Sequence, residues 1–258
     1  MSPQLVLSLF PGIGLLDMAF EEEGFCVVRG PDLLWGGDIR RFHPPRGVFD
    51  GVIGGSPCQA HSVLTDFRPS MDKYGDMTPD YVRVVEETEP RWFLHEQVIG
   101  GPIPRPSPKD YVMTDVLVRD VWVGGVTNRL RRFTFGAQLG AAVMAFAPEQ
   151  QALHSPEPEH AVIGGHGPKR GTKERGFTGR NWRDSAIAQG LPVEWVENVA
   201  RAMPTPLSAQ GIKDAVGNGV PLPMGRAAAR AVKRALGIEP FTWTCPRCGR
   251  GRSIRHDR

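Results

Sequence analysis

Short apolar runs alternate with helix-like stretches along this chain, and the alternation constrains its fold more than any other feature. Residues 5–10 predict a buried strand, residues 14–24 a helix, and residues 25–28 a second strand. Further strands are predicted at 47–53, 91–95, 111–118 and 132–135, and further helices at 79–89, 184–189, 193–203 and 224–236. Strands that alternate with helices indicate a wound α/β sheet.

Cysteine usage and hydropathy favour a protein of the cytoplasm. The four cysteines are too few and too scattered for a disulfide framework. No run of about 18 apolar residues predicts a membrane span, and no basic secretory signal is present, so we expect no membrane partner. Lysine and arginine concentrate at 129–132, 169–183 and 247–258. Such clusters suit a phosphate backbone, although a solvated basic surface has the same composition.

The segment Phe10-Pro-Gly-Ile-Gly14 joins the first strand to the first helix. Its glycines allow a tight turn and close approach of a ligand to the helix amino terminus. Asp32 follows the second strand, where a carboxylate can accept hydrogen bonds from the ribose hydroxyls of a nucleoside cofactor. Asp17 replaces the third glycine of the dinucleotide fingerprint, so a purely structural turn remains an alternative.

Two further strand ends carry residues capable of chemistry. Cys58 lies in the loop Gly54-Gly-Ser-Pro-Cys-Gln59, where a thiolate can act as a nucleophile; the alternative is a buried structural cysteine. Glu96 follows the strand predicted to end at His95. A carboxyl group there can protonate, or hydrogen bond to, a ring nitrogen, whereas an ordinary strand-end glutamate is simply solvated.

The order of these motifs resembles that of the cytosine-5 DNA methyltransferase family, in its compact phage or prophage type. Residues 7–14 resemble the family's cofactor loop, 37–39 its adenine-contacting segment, and 55–59 its nucleophile loop. Glu96-Gln-Val98 stands where the family has Glu-Asn-Val, and Gly217-Asn-Gly-Val220 resembles the final motif. The resemblance implies a Rossmann-like α/β fold of the kind that binds S-adenosylmethionine, with a small target-recognition lobe.

The same resemblance implies a division of the chain and a set of partners. Residues 1–136 and 191–240 would form the catalytic domain, 137–190 the target-recognition region, and 241–258 a basic tail. The expected substrate is double-stranded DNA, the expected cofactor is S-adenosylmethionine, and the expected state is a monomer without a bound metal. Cys245 and Cys248 in the tail resemble one half of a zinc knuckle, but structural zinc needs four ligands, so an unliganded basic tail is the favoured interpretation.

The resemblance also assigns roles to single residues. Cys58 would attack carbon 6 of a flipped cytosine while Glu96 stabilises the ring protonated at nitrogen 3. Arg129 and Arg131 would contact the flipped nucleotide and the nucleophile loop. The cofactor site would be lined by Phe10, Gly12, Gly14, Asp32, Asp38, Ile39 and Asn218. Trp35 would either stack on the adenine or serve packing.

Two departures from the family pattern leave alternatives open. Gln97 replaces the usual asparagine, whose amide braces the nucleophile loop, and the arginine motif is blurred into residues 127–132. A register shifted by one residue would bring in Arg132 instead of Arg131. The alternatives to DNA methylation are cytosine methylation in RNA and a catalytically silent relative that only binds DNA or a partner.

Overall fold

A six-stranded mixed sheet forms the centre of the molecule. The computed structural model describes residues 3–57, 75–107, 111–138, 140–150, 158–162, 180–238, 243–244 and 251–252. The strands of the sheet are β1 (Leu5–Leu9), β2 (Cys26–Arg29), β3 (Gly51–Gly54), β4 (Trp92–Gln97), β5 (Val112–Arg119) and β6 (Leu130–Ala137). Their order across the sheet is β2-β1-β3-β4-β6-β5. A separate two-stranded ribbon pairs β7 (Trp243–Thr244) with β8 (Gly251–Arg252).

The sheet reverses its winding at β1. Strand β2 lies on one side of β1 and β3 on the other, and all of these pairs, like β3 with β4, are parallel. Strand β6 is antiparallel to both β4 and β5. Ligands of open α/β sheets bind beyond the carboxyl ends of the strands at such a switch point. The topology therefore predicts a ligand-binding site at the loops that follow β1 and β3.

Seven helices flank the sheet in the described residues. They are α1 (Leu15–Glu22), α2 (Thr78–Thr88), α3 (Gly140–Ala145), α4 (Trp182–Ala188), α5 (Val193–Ala202), α6 (Ala209–Asn218) and α7 (Leu222–Ala235). Helices α1 and α7 bury one face of the sheet, around Phe20 and Trp92. Helix α2 buries the other face through Tyr81, Val84 and Val85. Each large apolar side chain that is fully buried contributes roughly 1.5–3 kcal/mol.

A third cluster of buried side chains joins α1 to the carboxyl-terminal helices. Leu15 and Ala19 of α1 pack with Trp182, Val196 and Val216 of α4, α5 and α6. The α/β fold predicted from the alternation of strands and helices is confirmed. The division of the chain into a catalytic domain and a target-recognition region stays a prediction. None of the described helices is long and apolar enough to cross a membrane.

Local periodicity located most elements to within a few residues but missed the start of β3, helices α3 and α6, and the β7–β8 ribbon. The strand predicted at 47–53 begins at Gly51, because Gly47 has φ +70° and the chain turns there. Helix α6 was not predicted. Its start is marked by the Ser208 hydroxyl, which accepts a hydrogen bond from the Gly211 N–H at 3.1 Å. Gly211 lies within the first turn and weakens the helical pattern that follows this cap.

Candidate active site

The glycine loop between β1 and α1 has a tightly turned backbone. The Gly14 N–H donates to the Pro11 carbonyl at 2.7 Å, and Gly12 has φ +56°. Phe10 also has a positive φ, of 53°. An L-residue in this region costs about 1 kcal/mol or more, and such strain clusters at ligand-binding sites. The loop therefore presents backbone groups and the Phe10 side chain beyond the carboxyl end of β1.

An ion pair between a buried carboxylate and an exposed arginine lies beside the amino terminus of α1. Asp17 accepts a 2.5 Å hydrogen bond from the Ser8 hydroxyl, and its Oδ2 is 3.0 Å from Arg29 Nε. Burial raises the pKa of Asp17 to about 6, although Ser8 and Arg29 oppose this shift. A Cβ atom at Gly14 would come within 2.5 Å of Arg29 Nη2. Gly14 therefore makes room for the guanidinium group.

Asp32 connects the glycine loop to the segment after β2. Its Oδ2 accepts from the Gly12 N–H, and its Oδ1 accepts from the Leu34 N–H, both at 2.8 Å. The Trp35 indole N–H donates to the Gly12 carbonyl at 2.8 Å. Both side chains thus hold the loop in place. This contact gives Trp35 a bracing role, one of the two roles that the sequence left open.

Asp38 caps a short 3-10 helix, Ile39–Arg41, in the same region. Its carboxylate binds the Arg40 side chain at 2.8–3.1 Å. Hydrogen bonds from Arg40 lower the pKa of Asp38, so the carboxylate is ionised and accepts hydrogen bonds at neutral pH. Ile39 beside it is buried. A polar acceptor next to an apolar surface suits a heterocyclic base.

The segment after β3 contains Gly55, Ser56 and Pro57, and Cys58 lies outside the described residues. A Cβ atom at Gly55 would come within 2.7 Å of Glu96 Oε2, so glycine allows the two segments to approach. The Gln97 amide nitrogen donates to the Ser56 carbonyl at 3.2 Å and to the Ser56 hydroxyl at 3.1 Å. The end of β4 therefore supports this loop directly.

Glu96 and two arginines lie together. Glu96 Oε1 is 2.8 Å from Arg131 Nε, and both side chains are largely buried. The Arg129 guanidinium is also buried and donates to the carbonyls of Val162 and Gly217 at 2.7 and 2.6 Å. Arg129 thus connects the start of β6 to the end of α6. The buried Glu96–Arg131 pair provides a carboxyl group and a cation that can face a polar heterocycle.

Most of the predicted site residues meet in one cavity of about 450 Å³. The predicted residues in its lining are Phe10, Gly12, Asp32, Asp38, Ile39, Glu96, Arg129, Arg131 and Asn218. Gly55, Ser56 and Pro57 form part of the same wall. Gly14 does not belong to the lining, since it contacts Arg29 instead. The volume is within the range of sites for drug-sized ligands.

Comparison with known proteins shows similarity to one family over part of the chain. Residues 36–100 match the model described as C-5 cytosine-specific DNA methylase, and this stretch contains Asp38, the loop at Ser56 and Glu96. The chain is also 33% identical, over 118 residues, to the type II methyltransferase M.NgoPII of Neisseria gonorrhoeae. These residues are thus similar to the C-5 cytosine-specific DNA methylase family.

The match to relatives of this family covers part of each sequence. The alignment with M.NgoPII includes 38% of this chain and 34% of that enzyme. The orphan methyltransferase M.SPRI of Bacillus phage SPR is 30% identical over 115 residues, which is 37% of this chain and 26% of that protein. The alignments thus span about a third or less of these relatives' lengths.

A solved structure shows that the likeness in fold extends over nearly the whole chain. A prophage-encoded E. coli protein assigned as a DNA modification methyltransferase superposes with a TM-score of 0.59 at 16% identity. The superposition covers 91% of this chain and 99% of that one. The six-stranded sheet is thus that of a methyltransferase fold.

The local structure accommodates Gln97, the residue that departs from the family pattern. Gln97 Oε1 accepts from the Val98 N–H at 2.9 Å, which orients its amide nitrogen towards Ser56. A Cβ atom at Gly101 would overlap Gln97 Cγ, so the longer side chain occupies the space that glycine leaves. Gln97 therefore braces the loop through its contacts with Ser56.

The arginine register follows from the alternation of side chains along a strand. Arg129 and Arg131 both line the cavity. Arg132 points to the loop after β4, where it donates to the carbonyls of Ile99, Gly101 and Pro102 at 2.5–3.0 Å. The two arginines thus have different contacts: Arg131 pairs with Glu96 in the cavity, and Arg132 holds the loop after β4. The catalytic roles of the arginines stay predictions.

Sequence reasoning did not single out two groups of residues near the site. Gly211, Asp214 and Ala215 of α6 line the cavity, but their helix was not recognised. Thr78 and His95 contact Ser56 from two different elements. Ser208 was a detectable signal for the helix. No local signal in the sequence points to the contacts of Thr78 and His95, because they depend on tertiary packing.

Proposed function

We propose that this chain transfers a methyl group from S-adenosylmethionine to carbon 5 of cytosine in double-stranded DNA. One observation carries the proposal: Glu96, Arg131 and Pro57 share a cavity with the glycine loop, Asp32 and Asp38. A site with this composition brings a nucleoside-binding end next to a carboxyl group and the residue that precedes Cys58. The match of residues 36–100 to the C-5 cytosine-specific DNA methylase family supports the same reaction.

The residues present fit the cofactor. The apolar surfaces of Phe10 and Ile39 suit the adenine ring, and the ionised Asp38 can accept a hydrogen bond from its amino group. Asp32 retains acceptor capacity for the ribose hydroxyls, because each carboxylate oxygen can accept two hydrogen bonds. Bound S-adenosylmethionine supplies an electrophilic methyl group.

The reaction then follows from the chemistry of the side chains. The target cytosine leaves the duplex, since its reacting carbons are inaccessible in the stack. The Cys58 thiolate adds to carbon 6 while Glu96 stabilises a proton at ring nitrogen 3. Carbon 5 becomes nucleophilic and takes the methyl group from the sulfonium sulfur of the cofactor, so that S-adenosylhomocysteine is left. Loss of the carbon 5 proton then expels the thiolate and restores the aromatic ring.

The decisive experiment measures label transfer to DNA and the identity of the product. Purified protein is incubated with methyl-labelled S-adenosylmethionine and unmethylated genomic DNA, which is then digested to nucleosides. We expect 5-methylcytosine from the wild type and from Cys26→Ala, whose cysteine is exposed on β2 outside the cavity. Cys58→Ala should lose transfer by at least about 10³-fold, because covalent catalysis needs the thiol.

Other outcomes would replace the proposal. If RNA were labelled and DNA were not, the activity would be methylation of cytosine in RNA. Cofactor binding without transfer to either nucleic acid would identify a silent relative. Equal transfer by wild type and Cys58→Ala would exclude the cysteine mechanism.

A further inference from the structure

The hydroxyl of Ser56 is the centre of a buried hydrogen-bond cluster beneath the loop. It lies 3.0 Å from His95 Nε2, 3.1 Å from Thr78 Oγ1 and 3.1 Å from Gln97 Nε2. All four side chains are buried. Two separate segments, α2 and β4, thus converge on the residue that precedes Pro57 in the cavity wall.

The donors and acceptors of this cluster can be assigned. Gln97 donates to Ser56, because its amide oxygen is occupied by the Val98 N–H. His95 is neutral at pH 7, because burial, assisted by Arg132, lowers its pKa to about 3. In the described residues, His95 Nδ1 has no hydrogen-bond partner. An unpaired acceptor is more readily tolerated than an unpaired N–H, so the proton belongs on Nε2.

With this tautomer, the Ser56 hydroxyl is saturated. It accepts from Gln97 and His95 and donates to Thr78, which uses its one proton and both lone pairs. Because every hydrogen-bonding position of the Ser56 hydroxyl is used, the cluster holds this buried side chain in a single geometry. The backbone at Ser56 is held a second time, since its carbonyl accepts from Gln97.

We propose that Thr78 and His95 are positioning residues, which act through the Ser56 hydroxyl to hold the backbone that leads into Cys58. The proposal rests on the proposed function for its catalytic consequence. Neither side chain belongs to the cavity lining, so neither is expected to touch cofactor or substrate. Their effect should appear in the methyl-transfer step and leave cofactor affinity unchanged.

The test compares Thr78→Val with Thr88→Val in the full chain. Both threonines are buried in α2 and hydrogen-bonded, but the Thr88 hydroxyl donates to the Val84 carbonyl and does not contact Ser56. We expect Thr78→Val and His95→Leu each to lower kcat roughly tenfold with an unchanged cofactor Kd, and Thr88→Val to retain the wild-type kcat. His95→Gln should recover much of the loss, because its amide N–H can replace the Nε2 donor.

A double variant and an activity-independent measurement complete the test. Thr78→Val with His95→Leu should fall little below the poorer single variant, since both act through one hydroxyl. Alkylation of Cys58, followed by peptide mass spectrometry, should change in rate in these variants and stay constant in Thr88→Val. Strictly additive losses, an unchanged kcat, or an equal loss in Thr88→Val would overturn the proposal. Absence of methyl transfer in the wild type would contradict the proposed function, while the alkylation rates would still test the positioning role.

Discussion

At the scale of single residues, Gln97 lies against Gly101 so closely that the two positions depend on each other. A methyl group at residue 101 would overlap Gln97 Cγ. We therefore expect Gly101→Ala to lower the free energy of unfolding by about 1–3 kcal/mol, as overpacking does, and to reduce methyl transfer by displacing the amide from Ser56. Urea denaturation and initial rates of transfer measure the two effects.

A compensating substitution tests the cause of that loss. Gln97→Asn removes one methylene, so the double variant Gly101→Ala with Gln97→Asn should regain stability and activity relative to Gly101→Ala. Gly140→Ala is a suitable control, because its new Cβ would lie at an ordinary distance of 3.6 Å from Val112. A double variant no better than Gly101→Ala would show that the two residues are independent.

At the scale of elements, the contact between α1 and α7 depends on a glycine. A Cβ atom at Gly225 would come within 2.8 Å of the Ala19 Cβ, which cannot rotate away. Gly225→Ala should therefore separate the helices and cost about 1–2 kcal/mol, despite the better helix propensity of alanine. Arg226 and Arg230 of α7, which pair with Glu22 and Glu23, resist this separation.

Gly211 of α6 provides the matched comparison. Its added Cβ would make ordinary contacts of 3.5 Å with Leu207 and Ser208. Gly211→Ala should thus stabilise the protein by about 0.5–1 kcal/mol, the usual gain for glycine to alanine in a helix. Denaturant midpoints of the two variants should shift in opposite directions. Shifts of the same sign would mean that propensity outweighs the contact with Ala19.

At the scale of the whole molecule, buried titratable groups make stability depend on pH. The folded-state pKa of His95 is about 3, below the ordinary 6.5, so the unfolded chain takes up the proton first. The contribution of His95 to stability is complete above pH 6.5 and declines as the pH falls towards 3. Between pH 7.5 and 5.5, wild type should therefore lose about 1 kcal/mol more than His95→Gln.

The comparison with His95→Gln is necessary because Asp17 acts in the opposite direction. The pKa of Asp17 is raised from 3.8 to about 6, so its contribution is complete below pH 3.8 and is lost as the pH rises through 6. Asp17 is present in both proteins. Its contribution therefore cancels when the free energy of unfolding of His95→Gln, measured by urea denaturation at each pH, is subtracted from that of wild type. If the free energy of unfolding changed equally with pH in wild type and variant, His95 would titrate at its ordinary pKa.

Much of this protein was predictable from its sequence, because the relevant signals are local. Short apolar runs placed β1, β2 and β4 within two residues of their observed bounds. The glycine loop, Asp32, Asp38 and Glu96 were selected by their order along the chain, and all contribute to one cavity. The loops that follow parallel strands lie at the same edge of the sheet. Residues that follow successive strands in the sequence are therefore close together in space.

Other features were decided by the tertiary structure alone. Strand β6 pairs between β4 and β5, which brings Arg131 to Glu96 and turns Arg132 towards the loop at Gly101. The cluster joins Ser56 to Thr78, His95 and Gln97, which lie 22, 39 and 41 positions further along the chain. Periodicity and propensity describe a residue's immediate neighbours in the chain. The partner of a buried polar side chain is instead chosen by strand pairing and packing over long sequence separations.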